Sequence, residues 1–266
     1  RLLAYQRKHG SFNYLNFAIN KNVQIGLFEA AVWKTTDSIR NNNFSLNYFN
    51  PVMLCRPLQY GLNDENNFLL GLNSSVRITD HFLFYGQYVL DSYSSNYFGQ
   101  KYAWQAGLKI FDPLKIEHLF VQIEYNEASP GMYSHNNILQ NYSNANEPLA
   151  HPLGADFHEC FFRINYRYHD FYLDAKFSFA KTGRYSDIFE SDSAMISQYL
   201  FSSYFEKDDQ IINYSVNLGF IINPVTNLQI FACMTNREFI NNNVSSKTSF
   251  ILFGIRTSLY NYYYDF

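Results

Sequence analysis

The chain has 266 residues, a formal net charge of −3 and 16% charged residues, with 26 Phe and 23 Tyr. This charge balance lacks the basic excess of nucleic-acid-binding domains, so we expect no nucleic-acid partner. No run of about 18 apolar residues is present, which argues against a transmembrane helix, whereas a membrane-spanning β-strand needs only about ten alternating residues.

Apolar and polar residues alternate along much of the chain with a period of two, which is the pattern of β-strands whose two faces differ. We predict about eleven strands of roughly 9–13 residues, longer than the usual strand of about 5–6 residues. In chain order these segments are 12–20, 23–33, 67–78, 81–91, 101–111, 115–126, 157–168, 171–181, 211–222, 226–237 and 247–259. The predicted fold class is therefore all-β.

The predicted connections alternate between short and long along the chain. The short ones are turns of Asn, Asp or Pro type, at Lys21–Asn22, Thr79–Asp80, Asp112–Pro113, His169–Asp170 and Asn223–Val225. The long ones cover about 34–66, 92–100, 127–156, 182–210 and 238–246. Outer-membrane barrels have short periplasmic turns and long extracellular loops, whereas a Greek-key sandwich does not sort its connections by length. The alternation predicts an antiparallel transmembrane β-barrel in the bacterial outer membrane.

The two faces of the strands fit this prediction. A soluble β-sandwich is the alternative, in which the apolar face forms a core and the polar face meets water. In a barrel the apolar face meets lipid, and we predict this for Trp104, Val121, Ile164 and Phe177. We predict that the polar residues of the other face point into the lumen, namely Lys109, Gln122, Glu124, Arg163, Arg167, Asp174 and Lys176. The second strand is an exception, because Glu29 requires a β-bulge or lies on the apolar face.

The last residues, SFILFGIRTSLYNYYYDF, form an amphipathic strand that ends on Phe266. This ending resembles the signal that outer-membrane insertion machinery reads, and its tyrosines suit the headgroup region. We expect a periplasmic C-terminus, which by strand parity places residues 1–10 outside the cell. Since bacterial single-chain barrels have even strand counts, residues 1–266 are interpreted as the C-terminal portion of one larger barrel whose upstream strands are absent.

The loop at 128–159 is the strongest candidate for a binding site, because it is rich in Asn, Tyr and His. Sugars bind by stacking on aromatic rings and by hydrogen bonds from amides and carboxylates to their hydroxyl groups. We therefore predict a glycan-binding set of Tyr133, His135, Asn141, Tyr142, Asn144 and Glu147. The alternative is a folded lid in which the same Tyr and Asn side chains pack against each other.

Other chemistry has weaker support in the sequence. His135 and His151, with Asp156 and His158 downstream, match no metal-ligand spacing. No glycine-rich phosphate loop, nucleophile elbow or Ser-His-Asp arrangement is recognisable. We therefore predict no metal, no cofactor and no enzymatic activity.

Three segments carry a family resemblance: NPVMLCRP (50–57), GLNSSVRITDHFLFYGQYVLD (71–91) and MYSHNNILQNYSNANEPLAHPLGADFHE (132–159). They resemble the C-terminal part of a Bacteroidota outer-membrane β-barrel family related to the capsule-assembly protein Wzi and the gliding-motility protein RemB. The resemblance implies a non-enzymatic barrel, surrounded by outer-membrane lipid, that binds or organises cell-surface capsular polysaccharide. A subunit of a larger motility, secretion or assembly complex in the outer membrane and a diffusion channel remain as alternatives.

Overall fold

The computed structural model describes residues 7–35, 66–91, 101–135, 137–145, 147–183, 209–241 and 244–257. Within these residues eleven strands form one antiparallel sheet, and two short strands form a second sheet. The strands are β1 Lys8–Ala18, β2 Val23–Lys34, β3 Asn67–Arg77, β4 Phe82–Asp91, β5 Lys101–Phe111, β6 Leu119–Ala128, β7 Ser143–Asn144, β8 Glu147–Pro148, β9 Phe157–Tyr168, β10 Phe171–Thr182, β11 Asp209–Asn223, β12 Leu228–Asn241 and β13 Val244–Arg256. The prediction of an all-β fold is confirmed.

Each strand of the large sheet pairs with its neighbour in the chain, except that β6 pairs with β9 across the two short strands. This next-neighbour order is that of up-and-down barrels and not of a Greek key. In the part of the chain that the structure describes, β1 and β13 are the two edges of the sheet. No helix among the same residues is long and apolar enough to cross a membrane.

The short connections lie together at one end of the sheet, called here the turn end, and local side chains stabilise them. The Asn20 side-chain oxygen accepts the backbone N–H groups of Asn22 and Val23 at 2.8 and 2.9 Å. Asn223 accepts the N–H of Val225 in the same way at 2.9 Å. These are Asx-type turns, in which a short side chain replaces a backbone acceptor.

One short connection differs from the prediction. Instead of a tight turn at Asp112–Pro113, the chain makes a seven-residue connection that includes a 3-10 turn, Pro113–Lys115, and β6 begins at Leu119 instead of residue 115. Pro113 has no N–H to donate, so the ladder cannot continue through it. The Asp112 carboxylate accepts the His118 N–H at 2.7 Å and closes the wider loop.

The opposite end of the sheet, the loop end, carries the other connections. The prediction of a long connection at 238–246 is wrong, because β12 runs to Asn241 and pairs there with Val244 of β13, which leaves only two residues between the strands. The segments 36–65, 92–100, 184–208 and 242–243 and the chain end at 258–266 lie outside the described residues. The NPVMLCRP motif and the terminal aromatic residues lie within these segments. The connection from β6 to β9 is described except at 136 and 146.

The pairing register assigns each strand residue to one of two faces, because directly opposed residues share a face. One face, the polar face, carries most of the charged and amide side chains of β5, β6, β9 and β10. The other, the apolar face, exposes large hydrophobic residues on nine of the eleven strands, among them Phe17, Leu72, Phe84, Ile123, Phe171, Phe177, Leu218, Ile230 and Phe253. Soluble monomers rarely expose an apolar patch of more than a few hundred Å², and this one runs across a whole sheet.

The register of β2 is continuous against both of its neighbours. No bulge intervenes, so Glu29 lies on the apolar face, which is the second of the two outcomes that the sequence allowed. Glu29 is 9% exposed, and its carboxylate accepts a hydrogen bond from the Asn13 amide at 2.9 Å. A buried carboxylate is tolerated when such partners satisfy it.

Candidate functional site

The segment 129–156, called here the cap, folds back over the loop end of the polar face. Met132 and Ala155 are fully buried, and with Tyr133 they pack on a cluster of small and apolar strand residues. That cluster consists of Ala30, Leu69, Val89, Ala103, Ala128 and Phe157, one from each of six neighbouring strands. The apolar positions of the polar face are thus covered by the chain's own connection.

Polar contacts fix the cap to several strands. The Asp91 carboxylate at the end of β4 accepts the Tyr133 N–H at 2.7 Å. Lys8 on β1 donates to the Asn141 carbonyl at 2.8 Å and to the Ser143 hydroxyl at 2.9 Å. On the far side, the His151 imidazole lies 3.1 Å from the Glu159 carboxylate of β9. The cap is therefore tied to β1, β4 and β9 at the least.

Two of the predicted glycan-binding residues lie inside the cap. Asn141 is 0% exposed, and its side-chain oxygen accepts the His135 N–H at 2.7 Å. Tyr133 is 6% exposed and stacks on Tyr142 with ring centroids 5.9 Å apart. The same ring of Tyr142 makes an edge contact with Phe12 at 6.0 Å. These side chains hold the cap together in this structure and have little surface to offer a ligand.

The remaining residues of the predicted set lie nearer the surface. Asn144 and Glu147 belong to the small β7–β8 hairpin, and both are exposed. His135 and Tyr142 are half-buried. The structure thus divides the predicted set into an internal part, Tyr133 and Asn141, and an outer rim formed by the hairpin together with the half-buried Tyr142.

The two stacked phenols remain neutral over the physiological pH range. Burial, followed by the negative charge of Asp91, raises the pKa of Tyr133 above its ordinary value. Burial alone raises the pKa of Tyr142. Because the folded-state pKa values are raised, the stabilisation that these neutral phenols give is complete below their ordinary pKa of about 10 and is lost as the pH rises beyond it.

A network of polar side chains continues from the cap along the polar face. The Asn126 amide donates to Glu159 at 3.1 Å and to Glu124 at 2.9 Å. Glu124 in turn accepts hydrogen bonds from the Tyr85 hydroxyl and from Gln122. Neutral donors in this network form hydrogen bonds to the carboxylates. These bonds offset part of the free energy that is lost when the charged groups are desolvated on the sheet surface.

A cluster of charged side chains lies beside this network on β9 and β10. The Arg163 guanidinium contacts the Asp174 carboxylate through two bonds of 2.9 and 3.2 Å, and Lys176 approaches the same carboxylate at 3.9 Å. Lys109 lies 4.8 Å from the centre of the Tyr85 ring. Arg167 is at the turn end and donates to the His169 carbonyl at 3.1 Å. By register, all seven residues of the predicted lumen set share the polar face.

The four residues predicted to meet lipid share the opposite face. Val121 pairs with Ile164, and Phe177 pairs with Phe162 in the middle of the strands. Trp104 lies nearer the loop end, where its ring is 5.0 Å from that of Tyr125. Beside them Glu127 and His158 are in contact at 3.4 Å. Aromatic rings next to charged groups at the margin of an apolar band are typical of a membrane interface.

The histidines considered as metal ligands do not converge. His151 stacks on Phe157 at 4.4 Å on the cap side, whereas His158 lies on the apolar face beside Tyr125. Among the described residues, no three His, Cys, Asp or Glu side chains come close enough to hold a metal ion.

Comparison with solved structures identifies the fold. The chain is similar to Wzi, an outer-membrane protein involved in group 1 capsule assembly in Escherichia coli, which is described as a carbohydrate-binding β-barrel. The TM-score is 0.58 at 12% sequence identity, and the match covers 92% of this chain and 52% of Wzi. The fold is that of an outer-membrane β-barrel. This chain spans about half the length of that barrel.

Two other solved structures match less closely. They are OccD1 (OprD) and OccAB2 of Acinetobacter baumannii, each with a TM-score of 0.44 and 10% identity. The matches cover 94% and 92% of this chain and 60% and 54% of the two proteins. No protein-family model matches the chain, and no curated protein matches it with significant similarity.

The sequence prediction missed the residues that hold the cap. Lys8 and Asp91 are single charged residues at strand ends, and no spacing links them to the loop in the sequence. The prediction also did not use the glycines of the polar face. The ring of Tyr85 lies directly over the backbone of Gly107, and the ring of Tyr14 lies over that of Gly26. A glycine opposite a strand aromatic was the signal that could have located these rings.

Proposed function

We propose that this chain is the C-terminal portion of a non-enzymatic outer-membrane barrel that binds or organises cell-surface polysaccharide. In this proposal the apolar face meets lipid, the polar face lines the lumen, and the cap lies on the extracellular side with the C-terminus in the periplasm. The capsule-assembly role of Wzi and the sequence resemblance to its Bacteroidota relatives support the same function.

The cap is the observation that carries the proposal. A connection that is fixed to at least three strands presents its outer hairpin in a constant position, which lowers the entropy lost on binding. Asn144 and Glu147 offer amide and carboxylate groups to sugar hydroxyls, and the half-buried Tyr142 precedes the hairpin in the chain. Tyr133 and Asn141 contribute indirectly by holding this hairpin in place.

We expect substitution of the exposed rim to weaken glycan binding without affecting the fold. The double variant Asn144→Ala with Glu147→Ala removes the polar groups that face outward, and each ligand hydroxyl left without a partner costs about 1–3 kcal/mol. Retention of cell-surface polysaccharide by the purified protein should fall at least tenfold, a loss that corresponds to about 1.4 kcal/mol. A capsule pull-down with the purified protein measures this.

The matched control is Asp170→Ala, which removes an exposed polar side chain at the turn end, away from the cap. Both proteins must show the heat-modifiable gel migration of a folded barrel. Full retention by the double variant, in a preparation whose unmodified form retains polysaccharide, places the glycan site outside the cap.

A diffusion channel is the second candidate, because the polar face carries the charged pairs and amides that a wet lumen requires. The cap covers the loop end of this face, so the channel hypothesis predicts current only when the cap is displaced.

A subunit of a larger motility or secretion complex is the third candidate function. Co-purification of other membrane proteins in mild detergent is its test.

A further inference from the structure

A second recess lies on the polar face near the turn end, away from the cap. It extends across β1 to β5 and measures about 360 Å³, within the range of about 300–1,000 Å³ that is typical of small-ligand pockets. Its lining includes Tyr14, Gln24, Asn73, Tyr85, Gln105 and Lys109. We call it the turn-end recess.

Two glycines set the position of the aromatic rings in this recess. A Cβ added to Gly26 would collide with the Tyr14 ring and with the Asn73 side chain, and one added to Gly107 would collide with the Tyr85 ring. Each ring therefore crosses a neighbouring strand close to its backbone, in the manner of an aromatic that covers a strand glycine. Tyr14 remains 58% exposed, so a ring surface faces the open side of the recess.

Amide side chains form a row across the same strands. The register opposes Asn73 to Gln87 and Gln87 to Gln105. At one end of this row Asn73 is hydrogen-bonded to the Tyr14 hydroxyl at 3.2 Å. A row of amides spaced by the distance between strands, about 4.8 Å, offers repeated donors and acceptors to the hydroxyl groups of an extended sugar chain.

The charge of the lining is positive. Lys109 is the one charged residue among those that line the recess in the described part of the chain. Its ammonium group lies over the Tyr85 ring, 4.8 Å from the ring centre, while Tyr85 itself donates to Glu124. The ammonium group is thus held beside the aromatic surface, where a ligand carboxylate can reach it.

We propose that the turn-end recess is a saccharide site that prefers a sugar bearing a carboxylate, such as a uronic acid. The sugar ring stacks on Tyr14, its hydroxyl groups bond to Asn73 and Gln105, and its carboxylate pairs with Lys109. This site is separate from the cap, and it does not depend on the cap's binding glycan.

The test is calorimetric titration of the purified, folded protein in detergent with two probes, an acidic hexasaccharide of galacturonic acid and the neutral maltohexaose. We expect the acidic probe to bind at least tenfold more tightly than the neutral one. Tyr14→Ala should weaken binding of the acidic probe about tenfold, which corresponds to about 1.4 kcal/mol. Lys109→Gln should remove the preference for the acidic probe.

Two further variants separate a stacking role from a structural one. Gly26→Ala keeps the Tyr14 ring but forces it from its position, and it should weaken binding as Tyr14→Ala does. Tyr168→Ala removes a tyrosine of similar exposure, 60%, from the apolar face, and it should leave binding unchanged. All variants are first checked for heat-modifiable migration.

Each result decides the proposal. No binding of either probe, or full binding by Tyr14→Ala, overturns the saccharide site. Equal binding of both probes overturns the preference for a carboxylate. The cap variant Asn144→Ala with Glu147→Ala should keep its affinity for the acidic probe. Loss of binding at the recess and loss of binding at the cap are therefore measured on different variants.

Discussion

Phe177→Arg should prevent assembly into membranes, whereas Ser178→Arg should be tolerated. Phe177 lies in the middle of β10 on the apolar face, 42% exposed and paired with Phe162 and Tyr214. An Arg facing lipid at the bilayer midplane costs roughly 2–4 kcal/mol. This corresponds to about a 30- to 900-fold loss in the folding equilibrium. Refolding into lipid vesicles, followed by heat-modifiable gel migration, measures the loss.

Ser178 is the matched position because it is the next residue on the same strand and belongs to the polar face. Its hydroxyl accepts a hydrogen bond from Asn213 at 3.3 Å, and an Arg there has the carboxylates of the polar face within reach. Phe177→Leu serves as a volume control, since it keeps an apolar side chain. Equal folding of the two Arg variants would show that the apolar face does not meet lipid, and failure of Phe177→Leu would assign the loss to packing.

The sequence predicted the sheet well because strand patterns and turn chemistry are local. Period-two alternation located all eleven strands, and Asn or Asp residues marked the short connections. The errors are at strand ends. β1 begins at Lys8 instead of residue 12, and β12 and β13 extend to Asn241 and Val244, so the connection predicted to be long at 238–246 has two residues. Ends depend on pairing with the neighbouring strand, which a single segment does not encode.

The cap was harder to predict because its stability depends on contacts between distant residues. Composition made its Tyr and Asn residues candidates for ligand contact, but it could not tell an exposed ring from one buried on a neighbouring strand. Asn141 illustrates this: the same amide chemistry that suits a sugar hydroxyl here accepts a backbone N–H six residues earlier in the chain. The position of the β7–β8 hairpin relative to the sheet decides whether an amide of this loop can contact a ligand or holds the cap together.

Asp91→Ala should release the cap. Asp91 is 1% exposed, and its carboxylate accepts the N–H of Tyr133, a residue held with a left-handed φ of 70°. A non-glycine residue in this region is strained by roughly 1–2 kcal/mol, so it depends on such a bond. Leaving the buried N–H without its acceptor costs about 1–3 kcal/mol, or roughly a 5- to 150-fold larger open population.

Limited digestion with chymotrypsin measures this opening, because cleavage at Tyr133 and Tyr142 follows the population of the open cap when closing is fast. Asp91→Asn keeps a side-chain oxygen as acceptor and should give a smaller increase, while Glu147→Ala, on the exposed hairpin, should give none. If the cap positions the glycan-binding rim, polysaccharide retention should fall in Asp91→Ala although Asp91 touches no ligand. Wild-type digestion rates in Asp91→Ala would mean that the other contacts, namely the packing of Met132 and Ala155 and the polar contacts of Lys8 and His151, hold the cap without this bond.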